Sequence, residues 1–254
     1  NVDNFIFLEV LLGLLGGIGP TVSLYAFGHF HNYFILFHYF FICAIGLMIG
    51  LEIPLLTRVN QKTVPSLKHN LGLILKMDYI GSFLGAMLWV FLLPLFFNIL
   101  EISFFLGLIN VGVALFTWIW FHGWMKYPKA ILIFALCVIA LLLVGLLNGK
   151  KITTTAEQKL YRDTIIHTRT TPYQRIVVTQ SRSGDYNLFI NGHLQFSSID
   201  EHIYHEFLVH PVMSATPVHK KVLVLGGGDG LAVREVLKYG GVESVTLVDI
   251  DPEM

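Results

Sequence analysis

Apolar residues run almost unbroken through residue 149, parted only by short polar breaks such as "TRVNQKTVPSLKHN" and "FHGWMKYPK". A helical membrane span needs about 20 predominantly apolar residues, and five stretches reach that length, near residues 5–27, 33–56, 71–97, 102–121 and 130–148. The pattern then changes. Residues 150–172, "KKITTTAEQKLYRDTIIHTRTTP", hold no sustained period and read as a polar linker. In residues 173–199, "YQRIVVTQ" alternates and is rich in β-branched side chains, "YNLFI" and "HLQFS" follow, and Asn191-Gly192 between the last two is a strong hairpin signal. That predicts a small β-hairpin domain. "IDEHIYHEFLVHPVM" places Ile203, Phe207 and Leu208 at helical spacing, with Asp200 positioned to cap the start. Residues 200–254 close with a strand over the apolar run 222–225, a glycine loop, a helix over 231–239 and a second strand, the start of an α/β domain.

Composition sharpens this division. Of the 254 residues 54% are hydrophobic and only 13% charged, with a mean hydropathy of +0.66, far more apolar than a water-soluble domain requires. Residues 1–149 hold six Lys or Arg and five Asp or Glu, against eleven and twelve in the remainder. Fold class is therefore read as a multi-span α-helical membrane domain followed by a small β-hairpin domain and the start of a Rossmann-like α/β domain. Formal net charge is zero, so no basic footprint points to nucleic acid. Cys43 and Cys137 both lie in apolar runs and are expected in the core, leaving neither a disulfide framework nor a zinc knuckle. With no Met at position 1 and an α/β pattern that stops after its second strand, the chain reads as a fragment cut at both ends. A homo-oligomer is compatible with the sequence but not encoded in any readable way.

Within the apolar half, the pairs Gly46/Gly50 and Gly81/Gly85 have the small-xxx-small spacing that lets helix backbones approach. Trp118, Trp120, Trp124 and Tyr127 cluster where an interfacial belt would end the fourth span. Basic residues conflict over orientation: Arg58, Lys62 and Lys68 share a side with Lys126 and Lys129, whereas Lys150, Lys151, Lys159 and Arg162 fall on the other. A domain using a cytosolic cofactor has to be inside, and that sets the expected topology. Glu52 in "GLEIPLL" and Asp78 in "KMDYIGS" stand in apolar surroundings, where carboxylates often mark cation or proton pathways; the plainer reading is a helix-end acid pairing with Lys76 or capping backbone. His29, His31 and His38 lack a matching carboxylate or cysteine, so no metal is expected.

The chemistry concentrates in "KVLVLGGGDGLAVREVLKYGGVESVTLVDID". Gly226, Gly228 and Gly230 allow a tight turn against a ligand at a helix N-terminus. Their spacing is G-x-G-x-G; the dinucleotide fingerprint would need glycine or alanine at Leu231, which disfavours NAD. Asp249 ends the second strand about 20 residues beyond the loop, where a carboxylate accepts from both ribose hydroxyls. An adenosine with a free ribose is the expected guest. Asp229, Glu206 and Asp200 would suit cationic substrates.

"TPYQRIVV", "NGHLQ", "DEHIYHE", "HP" and "GGGDGLAVREVLK" stand in the order and spacing of the polyamine aminopropyltransferases, the spermidine synthases, and the chain resembles their membrane-anchored bacterial branch. The likeness is dense over residues 157–254 and weaker at "GLEIPLL" and "DYIGS". It implies aminopropyl transfer from decarboxylated S-adenosylmethionine, a co-substrate and not a resident cofactor, to putrescine, giving spermidine and methylthioadenosine. By the same resemblance Gln174 and Gln195 contact the nucleoside, Asp249 the ribose and Asp229 an amine, while Tyr204 and His205 line the polyamine channel. Asp249 stands where many members have glutamate. The proton-accepting aspartate of the family lies in a later loop, beyond Met254, so the fragment is expected to be inactive, in a multi-pass cell-membrane protein whose C-terminal domain is cytoplasmic. Two rivals remain: an S-adenosylmethionine-dependent methyltransferase, which would usually carry an acid at Val224, and a membrane polyamine sensor or transporter with a degenerate synthase domain.

Overall fold

The structure is a computed structural model that describes residues 2–254, apart from the side chain of His31. It divides into two compact units, residues 1–160 and 161–254.

The first unit is helical. Its elements are α1 (Val2–His29), α2 (Phe34–Asn60), α3 (Leu67–Phe91), α4 (Leu93–Phe96), α5 (Ile99–Phe121), α6 (Pro128–Leu147) and α7 (Gly149–Glu157). Among the described residues five helices are long and apolar enough to cross a membrane, at Val2–His29, Phe34–Asn60, Leu67–Phe96, Ile99–Trp124 and Pro128–Leu147. Each covers one of the five stretches expected from hydropathy. Local sequence sets several of the ends. Asn98 accepts from the Glu101 N–H while the Glu101 carboxylate accepts from the Asn98 N–H, a capping box that starts α5. Pro128 opens α6, where its missing N–H costs nothing. Buried Asn70 accepts from the Asn60 amide and donates to the Thr57 carbonyl, closing the turn from α2 to α3.

The core of this unit lies where α1, α5 and α6 meet, with Ile6, Val10, Phe104, Val111, Ala135 and Leu142 buried together. Close approach there depends on glycines other than those expected. A Cβ on Gly107 would stand 2.5 Å from the Gly13 carbonyl oxygen, and one on Gly13 2.7 Å from that of Gly107. Gly46, Gly50, Gly81 and Gly85 have open space where a Cβ would be, which corrects their assignment as packing pairs. The reason is position: α2 and α3 bury little of their length, whereas α1 and α5 are about half buried. Cys43 and Cys137 are exposed as well, on the outer faces of apolar helices and not in the core. His29 stacks on Tyr25 and His38 on Phe34.

The segment 150–172 is largely ordered secondary structure and no simple linker. Most of α7 falls in it, burying Gly149, Thr153 and Ala156 on one face, and so does β1 (Thr164–Thr170). Threonines bury the α7 face without an apolar signal, and β1 is an edge strand with mostly exposed side chains, so neither stretch shows in hydropathy. The second unit continues with β2 (Arg175–Gln180), β3 (Tyr186–Ile190) and β4 (His193–Ser197), completing a four-stranded antiparallel sheet in the order β1-β2-β3-β4. Asn191 and Gly192 both take positive φ, 51° and 83°, in the hairpin between β3 and β4.

α8 (Glu201–Ala215), β5 (Lys221–Leu225), α9 (Leu231–Val236) and β6 (Ser244–Val248) follow, with β5 and β6 paired parallel. Val209 and Met213 of α8 and Ala232 and Val236 of α9 pack with Val222, Val224 and Val245. The buried face of α8 is His205, Val209 and Met213, not Ile203, Phe207 and Leu208, all of which are exposed. Asp200 occupies the N-cap position but its side chain makes no capping bond. β5 is likewise covered on one face only, with Leu223 60% and Leu225 76% exposed, although an apolar run on both faces is the mark of a strand covered on both sides.

Leucine at Gly107 should force α1 from α5 and cost about 1–3 kcal/mol, the usual price of overpacking. Gly107→Leu is therefore expected to lower the thermal unfolding midpoint of the detergent-solubilised protein, and Gly46→Leu to leave it unchanged. Equal losses from both would contradict the packing described.

Candidate functional site

The site grows from the end of β5. The Gly226 N–H donates to the Val248 carbonyl at 2.8 Å, the last rung joining the two parallel strands. The chain then turns through Gly226, Gly227 and Gly230 with φ of 80°, 73° and 75°, a region open to glycine at little cost. Gly227 was not singled out by the spacing. Gly228 has ordinary φ but a different constraint: a Cβ there would lie 3.1 Å from Asp249 Oδ2 and 2.7 Å from the Met254 Cβ.

Two carboxylates hold this loop. Asp249, just beyond β6, accepts from the Gly228 N–H at 2.8 Å through Oδ2 and from the Asp251 N–H at 2.9 Å through Oδ1. Asp229 accepts from the Leu231 N–H at 2.9 Å and so satisfies one of the free amides that begin α9. With six residues α9 is shorter than the helix expected over 231–239. Gly226, Gly228, Gly230, Asp229 and Asp249 thus come together at the carboxyl ends of β5 and β6, where open α/β sheets take their ligands.

Sequence reasoning missed Asp251. It is buried and accepts from the Thr171 hydroxyl at 2.7 Å and the Gln174 amide at 2.8 Å, while the Glu253 N–H donates to its other oxygen at 3.1 Å. Burial pushes this carboxyl upward; the Thr171, Glu253 and Gln174 donors outweigh it and hold the pKa below the ordinary value. Gln174 therefore joins the site by supporting the strand-end acids. The signal was the alternation in "DIDPE": two acids two residues apart after a strand.

The remaining expected residues are placed elsewhere. Gln195 lies exposed on β4. Tyr204 is exposed on α8, its ring edge-on to His205 at 5.1 Å. His205 is buried, its Nδ1 at 2.7 Å from the Glu201 carbonyl and 2.9 Å from the Glu201 carboxylate. Glu201 also takes two bonds from Arg234, at 2.7 and 3.0 Å; that guanidinium, against some desolvation, depresses its carboxyl. Glu206 faces Lys238 at 4.0 Å. Glu206, His210 and Glu235 offer three ligand atoms within 4.8 Å of one another. Buried Glu235 already carries Lys238 and Arg234, which depress its pKa, so side-chain cations fill the place of an ion. A cavity of about 690 Å³ between Arg162, Gln180, Arg182 and Asn187 includes none of the expected site residues.

Strand, glycine loop, helix, parallel strand and terminal acid make residues 221–254 a β-α-β unit of Rossmann-like α/β type. Comparison with known proteins narrows the class. Residues 201–254 match the spermine/spermidine synthase domain. The chain is 43% identical to a polyamine aminopropyltransferase of Leptospira interrogans, over 98% of this chain and 50% of that protein. It is 39% identical to one of Oceanobacillus iheyensis, over 99% of this chain and 49% of the other. A crystal structure of spermidine synthase from Thermotoga maritima shares 37% identity, over 35% of this chain and 32% of that one, with a TM-score of 0.34. The chain is thus a homologue of the polyamine aminopropyltransferases and carries spermine/spermidine synthase domain sequence. It spans about half the length of the curated relatives it matches.

Proposed function

We propose that the whole protein transfers the aminopropyl group of decarboxylated S-adenosylmethionine to putrescine, releasing spermidine and methylthioadenosine. The observation that carries the proposal is the glycine loop flanked by Asp229 and Asp249 at the ends of a parallel strand pair, in a chain whose relatives bear the name polyamine aminopropyltransferase. In the transfer, the lone pair of a neutral putrescine nitrogen attacks the aminopropyl carbon next to the sulfonium. A C–N bond forms, the C–S bond breaks with its electron pair going to sulfur, and the nitrogen sheds a proton to a nearby carboxylate. Donor and acceptor are both cations, so an acidic pocket attracts them. We assign Asp249 to the ribose hydroxyls and Asp229 to a substrate amine. Gln174 acts by holding Asp251 in place.

The apolar helices of the first unit are proposed to cross the cell membrane. α2 and α3 support this, since their large apolar side chains are exposed along most of their length, an arrangement that suits lipid. The C-terminal unit is assigned to the cytoplasm, where the donor is made available.

The test is methylthioadenosine release from decarboxylated S-adenosylmethionine by membranes carrying the full-length protein. Release should require putrescine and fall at least about a hundredfold in Asp229→Ala, the lower end of what a positioned acid–base or charged group contributes; release unaffected by that change would remove the acid from the site. In intact cells Arg182→Cys is expected to resist an impermeant maleimide until lysis, and labelling before lysis would reverse the topology.

A further inference from the structure

Three helices of the first unit each carry an acid in apolar sequence: Glu9 on α1, Glu52 on α2 and Asp78 on α3. Glu9 is the least expected, because it is only 3% exposed and its Oε1 has no hydrogen-bond partner among the described residues. Its side chain lies within hydrogen-bonding reach of Glu52, and Asp78 is near enough to Glu52 to repel it. An ionised carboxylate only accepts hydrogen bonds, so this pair is at ease only with a proton held between the two carboxyls or a cation beside them. No Lys or Arg side chain forms an ion pair with any of the three among the described residues. Buried carboxylates left in this way are costly unless something positive joins them.

Glu52 also lines a cavity of about 490 Å³, with Trp89 of α3, Ser103 and Asn110 of α5 and the bare backbone of Gly13 and Gly16 on α1. The Ser103 hydroxyl spends its proton on the Gly17 and Leu100 carbonyls, which leaves its oxygen to accept. The rest of the wall is apolar. Hard metal cations call for six or more oxygen ligands, many more than this wall offers. An alkylammonium needs only a few acceptors for its head and an apolar surface for its stem, and an indole face nearby suits such a head.

We propose that the helical unit binds an alkylammonium cation in this cavity, with Glu52 as its anionic anchor and Glu9 as a second carboxyl next to Glu52, outside the cavity lining. The choice of di- and polyamines as the natural ligands rests on the proposed aminopropyl transfer; the cation site itself rests on the acids and the cavity. The cavity lies within the first unit and is separate from the glycine loop, so the protein has two places for amines, one for chemistry and one within the apolar helices.

The test is equilibrium binding of radiolabelled putrescine and spermidine to the full-length protein in nanodiscs. With the glycine-loop site disabled by Asp229→Ala, binding is expected to persist, and to weaken about thirtyfold or more when Glu52→Gln is added, as for a buried charge partner removed from a pair. Glu9→Gln should weaken it less, and Asn110→Leu, a neutral change on the cavity wall, should weaken it with the fold intact by thermal unfolding. Other alkylamines should displace the label, and sodium or calcium at equal ionic strength should not. Binding that persists when Glu52→Gln or Asn110→Leu is added to Asp229→Ala, binding that disappears in Asp229→Ala alone, or no binding at all would overturn the proposal. Loss of methylthioadenosine release with Glu52-dependent binding intact would strike the proposed activity alone, and the reverse result would strike this site alone.

Discussion

The second unit depends on one carboxylate. Asp249 is the only side chain described that bonds to the middle of the glycine loop, through the Gly228 N–H, and it bonds at the same time to the backbone of the turn after β6. Without a shared acceptor those two N–H groups would have to turn to water. Through the Asp251 backbone the same carboxylate is tied to Thr171 and Gln174, and through those to the turn that leads into β2. Loop, strand end and antiparallel sheet are thereby held in one chain of hydrogen bonds. Charge-assisted bonds of this kind are the stronger ones.

A comparable constraint in the first unit is steric. Gly13 and Gly107 let the backbones of α1 and α5 touch, and the apolar core with α6 forms around that contact. Where no hydrophobic drive between helices is available, packing of small residues is what remains. The same packing leaves most of α3 outside the core, while α2 meets α1 through Met48 against Leu8 and Leu12 and brings Glu52 near Glu9. Glu52 and the glycine crossing therefore share the cavity wall: Gly13 and Gly107 both line it with Glu52.

Much of this was legible in the sequence, and the failures have physical causes. Five long apolar runs became five long helices, and Asn191-Gly192 became a turn of two positive φ values, because each signal is local and strong. The glycine loop and Asp249 were found for the same reason. Glycine packing was misassigned because spacing along one helix does not say which face meets a neighbour. The α8 face was inverted because His205 is buried through its bonds to Glu201, so a polar residue takes the place that periodicity reserves for an apolar one. β1 and α7 went unseen because one is an exposed edge and the other buries threonine and glycine. Asp251 and Glu9 are a separate kind of miss: their importance comes from partners far away in the sequence, Gln174 in one case and Glu52 in the other.

The central claim is that Asp249 serves a nucleoside at the end of β6. Titration calorimetry of methylthioadenosine against the full-length protein and Asp249→Asn tests it directly, since asparagine can still accept from Gly228 but replaces the oxygen that takes the Asp251 N–H and would complete a pair of ribose bonds. The account predicts binding to the wild type that weakens at least about tenfold in Asp249→Asn, the scale of one charge-assisted hydrogen bond. Equal affinity in the two proteins, with the fold preserved, would contradict it.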